Sequence, residues 1–205
     1  MRIALPLPVL QRLACTVLVI AILSIGGATA QSPSPPPAPS EDAALRARHL
    51  DALFVHLKAV TVEEEADAMV AEIWKLWLQS GRPEIDAAMQ QAVDFMGQGL
   101  PALAMPVLDD IVARAPDWAE GWNKRATVLY LLGEHDRSLA DIERVLTLEP
   151  RHFGALAGIG LIRIAKGEPR AALAALRRAL AINPFLKERF ALIPALEREI
   201  GEKPL

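Results

Sequence analysis

Residues 119–150 read AEGWNKRATVLYLLGEHDRSLADIERVLTLEP, and their spacing decides the fold. Trp122, the small Ala126, Gly133, Ser138, the apolar Ile142 and Val145 and the closing Pro150 describe two helices joined by a tight turn. Glycine supplies the left-handed residue that ends the first helix, and proline stops the second. The same marks recur on either side. Gly99, Gly133 and Gly167 lie 34 residues apart, as do Pro116, Pro150 and Pro184. A fixed step of this length marks a helical repeat, in which each unit stacks on a neighbour to bury its apolar face.

Two columns of that register hold only small residues: Ala92, Ala126 and Gly160, then Ala104, Ser138 and Ala172. Helices approach closely only where side chains are small, so these columns mark where the two helices of each unit cross. Leu108, Ile142 and Leu176, with Ile111, Val145 and Ala179, place an apolar stripe at i, i+3 on the second helix. Asp117 followed by Glu120 reads as a capping box opening the middle unit.

On these residues the chain resembles the tetratricopeptide repeat (TPR) family. The resemblance is closest from Ala119 to Pro150. It continues through Gly160, Gly167, Ala172, Leu176, Ala179 and Pro184, and upstream through Phe95, Gly99, Ala104, Leu108 and Pro116. It implies an all-α, TPR-type α-solenoid of antiparallel helix pairs, with three repeats at 85–118, 119–152 and 153–186. Arg125 and Arg163 depart from it, standing where the family has leucine and an aromatic residue. Each needs a carboxylate or carbonyl partner, or an exposed head on a buried stem.

Residues 41–84 read as an irregular N-terminal helix pair, out of register, with Thr61 and Glu64 as a second capping box. Ile73, Trp74, Trp77 and Leu78 give it a wide apolar face that suits a cap over the first repeat; a tryptophan-lined ligand site is the sharper alternative. Residues 187–205 are expected to form a C-terminal capping helix and tail, a single helix to Ile200 kinked or shortened by Pro194.

At the N-terminus, Arg2 and Arg12 precede an apolar run from Leu13 to Gly27 and then Ala28-Thr29-Ala30. This is the pattern of a signal peptide, residues 1–30, cut after Ala30. The alternative is a chain anchored to the inner membrane by residues 13–30. The single cysteine, Cys15, falls inside that segment, so the mature chain is expected to need no disulfide. Residues 31–40 are rich in proline and serine and read as a disordered leader. The layout resembles small exported bacterial TPR proteins, which implies a periplasmic or secreted protein.

A net charge of −3 over 205 residues gives no reason to expect nucleic acid or an anionic membrane as partner. The distribution is uneven. Acids dominate from Glu41 to Lys75, whereas Arg151, Arg163, Lys166, Arg170, Arg177 and Arg178 face only Glu168 between Arg151 and Pro184. That end is either a solvated basic face or a site for an acidic partner.

Reactive chemistry is not expected. His49 and His56 stand two helical turns apart, about 10 Å, too far to share a metal ion. His135 and His152 fall at turns without ligand-spaced neighbours. Gly154, Gly158 and Gly160 lack the order and the preceding strand of a phosphate loop. Neither Ser80 nor Ser138 has a histidine and carboxylate at a recognised spacing. No cofactor or metal follows from the sequence.

The resemblance implies instead a concave face, lined by the first helices, that holds a partner's peptide or helix. Carried onto this chain, the lining is Met89, Gln90, Val93 and Met96, then Asn123, Lys124, Thr127 and Tyr130, then Ala157, Leu161 and Ile164, unless residues 187–200 cover the last unit. The expected function is a non-catalytic protein–protein interaction scaffold. A carrier of a small apolar molecule or lipid in the same groove is the alternative. Mass spectrometry of the protein from its native cell should find Gln31 at the N-terminus, and a form starting at Met1 overturns the cleavage.

Overall fold

Helices in antiparallel pairs fill residues 41–201, the part of the chain that the computed structural model describes. The expected signal segment, the leader and residues 202–205 lie outside the described residues. The elements are α1 (Glu41–Ala59), α2 (Glu63–Trp77), α3 (Pro83–Gly97), α4 (Pro101–Arg114), α5 (Ala119–Leu131), α6 (His135–Leu148), α7 (Phe153–Ala165), α8 (Pro169–Ile182) and α9 (Leu192–Ile200). Pairs α3/α4, α5/α6 and α7/α8 pack most closely and form three stacked hairpins. No described helix is long and apolar enough to cross a membrane.

Each hairpin turns in the same way. Gly99, Gly133 and Gly167 have φ of 73°, 79° and 71°. The residue after each glycine donates its N–H back over the turn, Leu100 to the Phe95 carbonyl at 2.9 Å, Glu134 to Leu129 at 2.8 Å and Glu168 to Arg163 at 2.8 Å. These bonds satisfy carbonyls that the helix end leaves open. The small columns lie at the crossings and are buried. Ser138 Oγ donates to the Ala126 carbonyl at 2.7 Å, so its hydroxyl binds the facing backbone. At Gly160 a Cβ would stand 2.7 Å from Leu176 Cγ.

Three local expectations need correction. Neither capping box forms: Val62 and Trp118 occupy the N-cap positions of α2 and α5, and neither side chain caps. Thr61 stands one residue too early, Asp117 is drawn off by Arg82 at 2.9 Å, and Glu120 turns to a buried partner. The segment after α8 is not one helix. Lys187–Arg189 form a 3-10 turn, and α9 begins only at Leu192. That start puts Pro194 in the first turn, where its missing N–H has no intrahelical acceptor to disappoint. Ile193 and Leu196 of α9 then pack on Ala157, Leu173 and Leu176, and Glu197 takes Arg177 at 3.0 Å.

The third correction concerns the hairpin α1–α2. It was expected over the first repeat, yet of its large apolar residues Leu78 is the one that joins that repeat's core. Phe54, Leu57, Ile73 and Trp77 pack with Phe153, Leu156, Ala179 and Leu186 of the third repeat. Trp118, His152 and Leu186, each two residues after a repeat-closing proline, make the row on which it rests. Trp118 Nε1 donates to the Trp77 carbonyl at 2.9 Å, and the His152 ring stacks on Trp77 at 4.0 Å. Ion pairs join Asp51 to Arg151 at 2.7 Å and Asp67 to Lys187 at 2.9 Å.

Gly160→Ala pits helix propensity against space. Alanine gains roughly 0.5–1 kcal/mol over glycine inside a helix, while overpacking a tight crossing costs about 1–3 kcal/mol. The variant should therefore melt several degrees lower. Gly97→Ala, whose Cβ would meet nothing within 4 Å, should melt at or above the parent. Thermal melts followed by circular dichroism check both signs.

Candidate functional site: the groove between the first helices

Glu120, in the first turn of α5, is 1% exposed, so its charge must be met inside the protein. His152 Nε2 lies 3.0 Å from Oε2, Asn123 Nδ2 donates to both carboxylate oxygens at 3.0 and 3.2 Å, and Lys124 Nζ stands 3.0 Å from Oε1. His152 is completely buried. Its Nδ1 accepts the Ala155 N–H at 3.1 Å, capping α7, so the ring hydrogen sits on Nε2 and points at Glu120. Burial pushes the Glu120 carboxyl up, but the His152 hydrogen bond and the Lys124 charge outweigh it and hold it below its ordinary value.

This junction closes one end of a groove. Beyond it lies a cavity of about 390 Å3 between α2, α5, α7 and the turn after α8. Asn123, Lys124, Thr127 and Tyr130 give it a mixed polar wall, Ala157, Gly158 and Leu161 an apolar one, and Asp67, Val70 and Trp74 of α2 a third. Trp74 seats against Gly154, where a Cβ would come within 2.6 Å of the indole. The Lys124 ammonium lies 5.5 Å from the Trp74 ring centroid.

Of the expected lining residues, six meet here: Asn123, Lys124, Thr127, Tyr130, Ala157 and Leu161. The first repeat's four do not. Met89 is 3% exposed and belongs to the core with Ile85, Leu108 and Ile111. Val93 and Met96 are half-buried against that core, and exposed Gln90 donates to Asp94 at 2.8 Å. Ile164 is exposed and lies outside the cavity. Asn123 and Lys124 are not free, because Glu120 holds both.

The two departing arginines are paired. Arg125 makes a two-bond fork to Asp141, Nε and Nη2 each at 2.8 Å, takes Asp109 at 2.9 Å and lies over the Trp122 ring. These carboxylates raise its pKa against a smaller burial penalty. Arg163 pairs with Glu168. Among the described residues no group of three or more histidines, cysteines or carboxylates is placed to hold a metal ion.

A family profile described as tetratricopeptide repeat matches residues 89–150 and 124–186. A TPR repeat-containing protein of Rhizobium etli is 39% identical over 137 residues, 67% of each chain. The chain belongs to the tetratricopeptide repeat family. Solved TPR structures share the fold at low identity. The first TPR of Spaghetti (RPAP3), bound to the HSP90 peptide SRMEEVD, covers 58% of this chain and 94% of its own at TM-score 0.54 and 15% identity. The TPR2B domain of yeast Sti1, in its pHsp70 complex, covers 58% and 99% at TM-score 0.53 and 20% identity.

Within this TPR stack, sequence reasoning missed the buried Glu120–His152 pair that stands beside the groove, whereas Trp74, named in the tryptophan-lined alternative, does line the cavity. The readable signal was the 34-residue column of Trp118, His152 and Leu186, which is large in every repeat. With its folded pKa lowered, Glu120 stabilises the protein above its ordinary value near 4.5 and loses that contribution as pH falls below it. Glu120→Gln should cost about 1.5–3 kcal/mol at pH 7. It should also flatten the loss of stability between neutral and acid pH, which urea melts across that range will measure.

Proposed function

We propose that the protein is a non-catalytic interaction scaffold of the bacterial cell envelope, holding a segment of a protein partner in the groove between α5 and α7. The observation that carries this reading is the groove's two unlike walls. Thr127 and Tyr130 offer hydrogen bonds to a backbone, while Ala157 and Leu161 offer apolar surface to side chains. The Spaghetti (RPAP3) TPR is bound to an HSP90 peptide and the Sti1 TPR2B domain is in a complex with pHsp70, which supports the same use here. The envelope assignment rests on Arg2, Arg12, the apolar run to Gly27 and Ala28-Thr29-Ala30. Fractionation of the native cell tests it, and a cytosolic pool alone overturns it.

A second reading, a carrier of a small apolar molecule or lipid, is favoured by the cavity itself. Its volume falls in the roughly 300–1,000 Å3 range of small-molecule pockets, and α2, α5, α7 and the turn after α8 line it.

Proximity labelling in the native cell names the neighbour, and pull-down with purified chain follows. Tyr130→Ala with Leu161→Arg should weaken capture at least tenfold with helicity unchanged; undiminished capture rejects the groove. Asn123 and Lys124 are poor targets, because their loss strips Glu120 of its partners. A stoichiometric adduct in native mass spectrometry, removed by lipid extraction, favours the carrier.

A further inference from the structure

One wall of the groove is the chain's own α2. Trp74 occupies the slot left by Gly154, and Trp77 stacks on His152 at 4.0 Å. At the other end of α2, Glu63 and Asp67 meet Lys187 at 3.6 and 2.9 Å, and Glu63 meets Arg189 at 3.2 Å. An acidic first turn therefore faces a basic corner, and two indoles three residues apart face the junction. We propose that α2 stands in for the partner, so that the segment this surface fits is an amphipathic helix with an acidic first turn and two large aromatic residues spaced i, i+3. The inference rests on the reading of this groove as the partner site.

The hold on α2 is made by side chains: Ile73 and Trp77 are buried against Phe153, Leu156 and Leu186, and the rest is polar and weak. Its ion pairs to Lys187 are exposed, and such pairs contribute little. The Trp77 Nε1 is buried with no acceptor among the described residues, a cost that a docked helix carries and an undocked one does not. Large side chains bridge α2 to α5 and α7, without the close backbone approach found inside each repeat. The connection to α3 turns at Gly81, whose φ is 78°. Elements attached in this way open at lower free energy than the core. A partner helix that enters must compete with α2, and only a segment with matching charge and indole spacing recovers the same contacts.

The probe is a fluorescein-labelled synthetic peptide of residues 61–79, TVEEEADAMVAEIWKLWLQ. The receptors are the full chain and its Glu63→Lys, Asp67→Lys variant, which keeps both tryptophans and the apolar core. Anisotropy should show the peptide binding the variant at least tenfold more tightly than the parent. A peptide with Trp74→Ala and Trp77→Ala should lose that binding at least tenfold. Equal affinity for both receptors, or full binding by the tryptophan-free peptide, overturns the inference. Hydrogen exchange on the parent gives an independent readout: the α1–α2 amides should exchange together at least tenfold faster than those of α5–α8, and equal protection overturns it too. No peptide exchange beside intact groove-dependent capture rejects this inference and leaves the scaffold standing. Capture indifferent to the groove variant rejects the scaffold on its own.

Discussion

Everything in this protein depends on two helices crossing where one side of the contact has almost no side chain. Gly160 against Leu176 is the tightest case, and Ala126 against Ser138 adds a hydrogen bond to the same approach. Close crossing brings Ile142, Val145 and their counterparts inward and seals each unit. The fixed step then places Trp118, His152 and Leu186 in a row at successive corners of the stack. No single repeat makes that row. It exists because the units keep one register, and it is the surface that receives α2.

The middle repeat explains why a polar first helix is stable there. A buried carboxylate is costly unless several donors meet it, and Glu120 has His152, Asn123 and Lys124. Asn123 and Lys124 lie three and four residues on, where a helix brings side chains beside position 120. His152 arrives from the next repeat, so the charge is satisfied only when repeats two and three are stacked. The cluster thus couples neighbours as apolar packing alone does not; along the same wall Thr127 Oγ1 donates to the Asn123 carbonyl at 2.9 Å and can still accept, and Tyr130 lines the cavity beyond it.

The fold was legible because period, turn glycines and closing prolines all state the same register, and local signals agreed with the global repeat. The site was legible in part. Thr127, Tyr130 and Leu161 follow from helical phase: Thr127 and Tyr130 stand at i, i+3 on α5, and Leu161 is 34 residues after Thr127 on α7. Met89 shares that phase but sits at the core edge, where hydrophobicity outweighs register. Glu120 and His152 are separated by 32 residues, and neither has a local pattern naming the other. Capping logic pointed Glu120 at its own helix. A buried imidazole proved the stronger claim on it, because an exposed cap contributes about 1 kcal/mol, whereas an unpaired buried donor costs 1–3 kcal/mol.

The uneven charge along the chain has its physical meaning in the position of α1–α2. Acids gather in the hairpin and bases in the last third, and folding brings them together at Asp51 with Arg151 and Asp67 with Lys187, pairs 100 and 120 residues apart. Exposed pairs of this kind add little stability, but they choose among corners. The first repeat's corner offers Arg82 and Arg114, already engaged by Asp117 and Asp110. The third repeat's corner offers Lys187 and Arg189, an Arg151 that is forked by Glu149 and still reaches Asp51, and Gly154 clear for an indole. Apolar area alone would let the hairpin settle over any repeat; charge and one absent Cβ direct it across the groove, and the size of what else can enter follows from that choice.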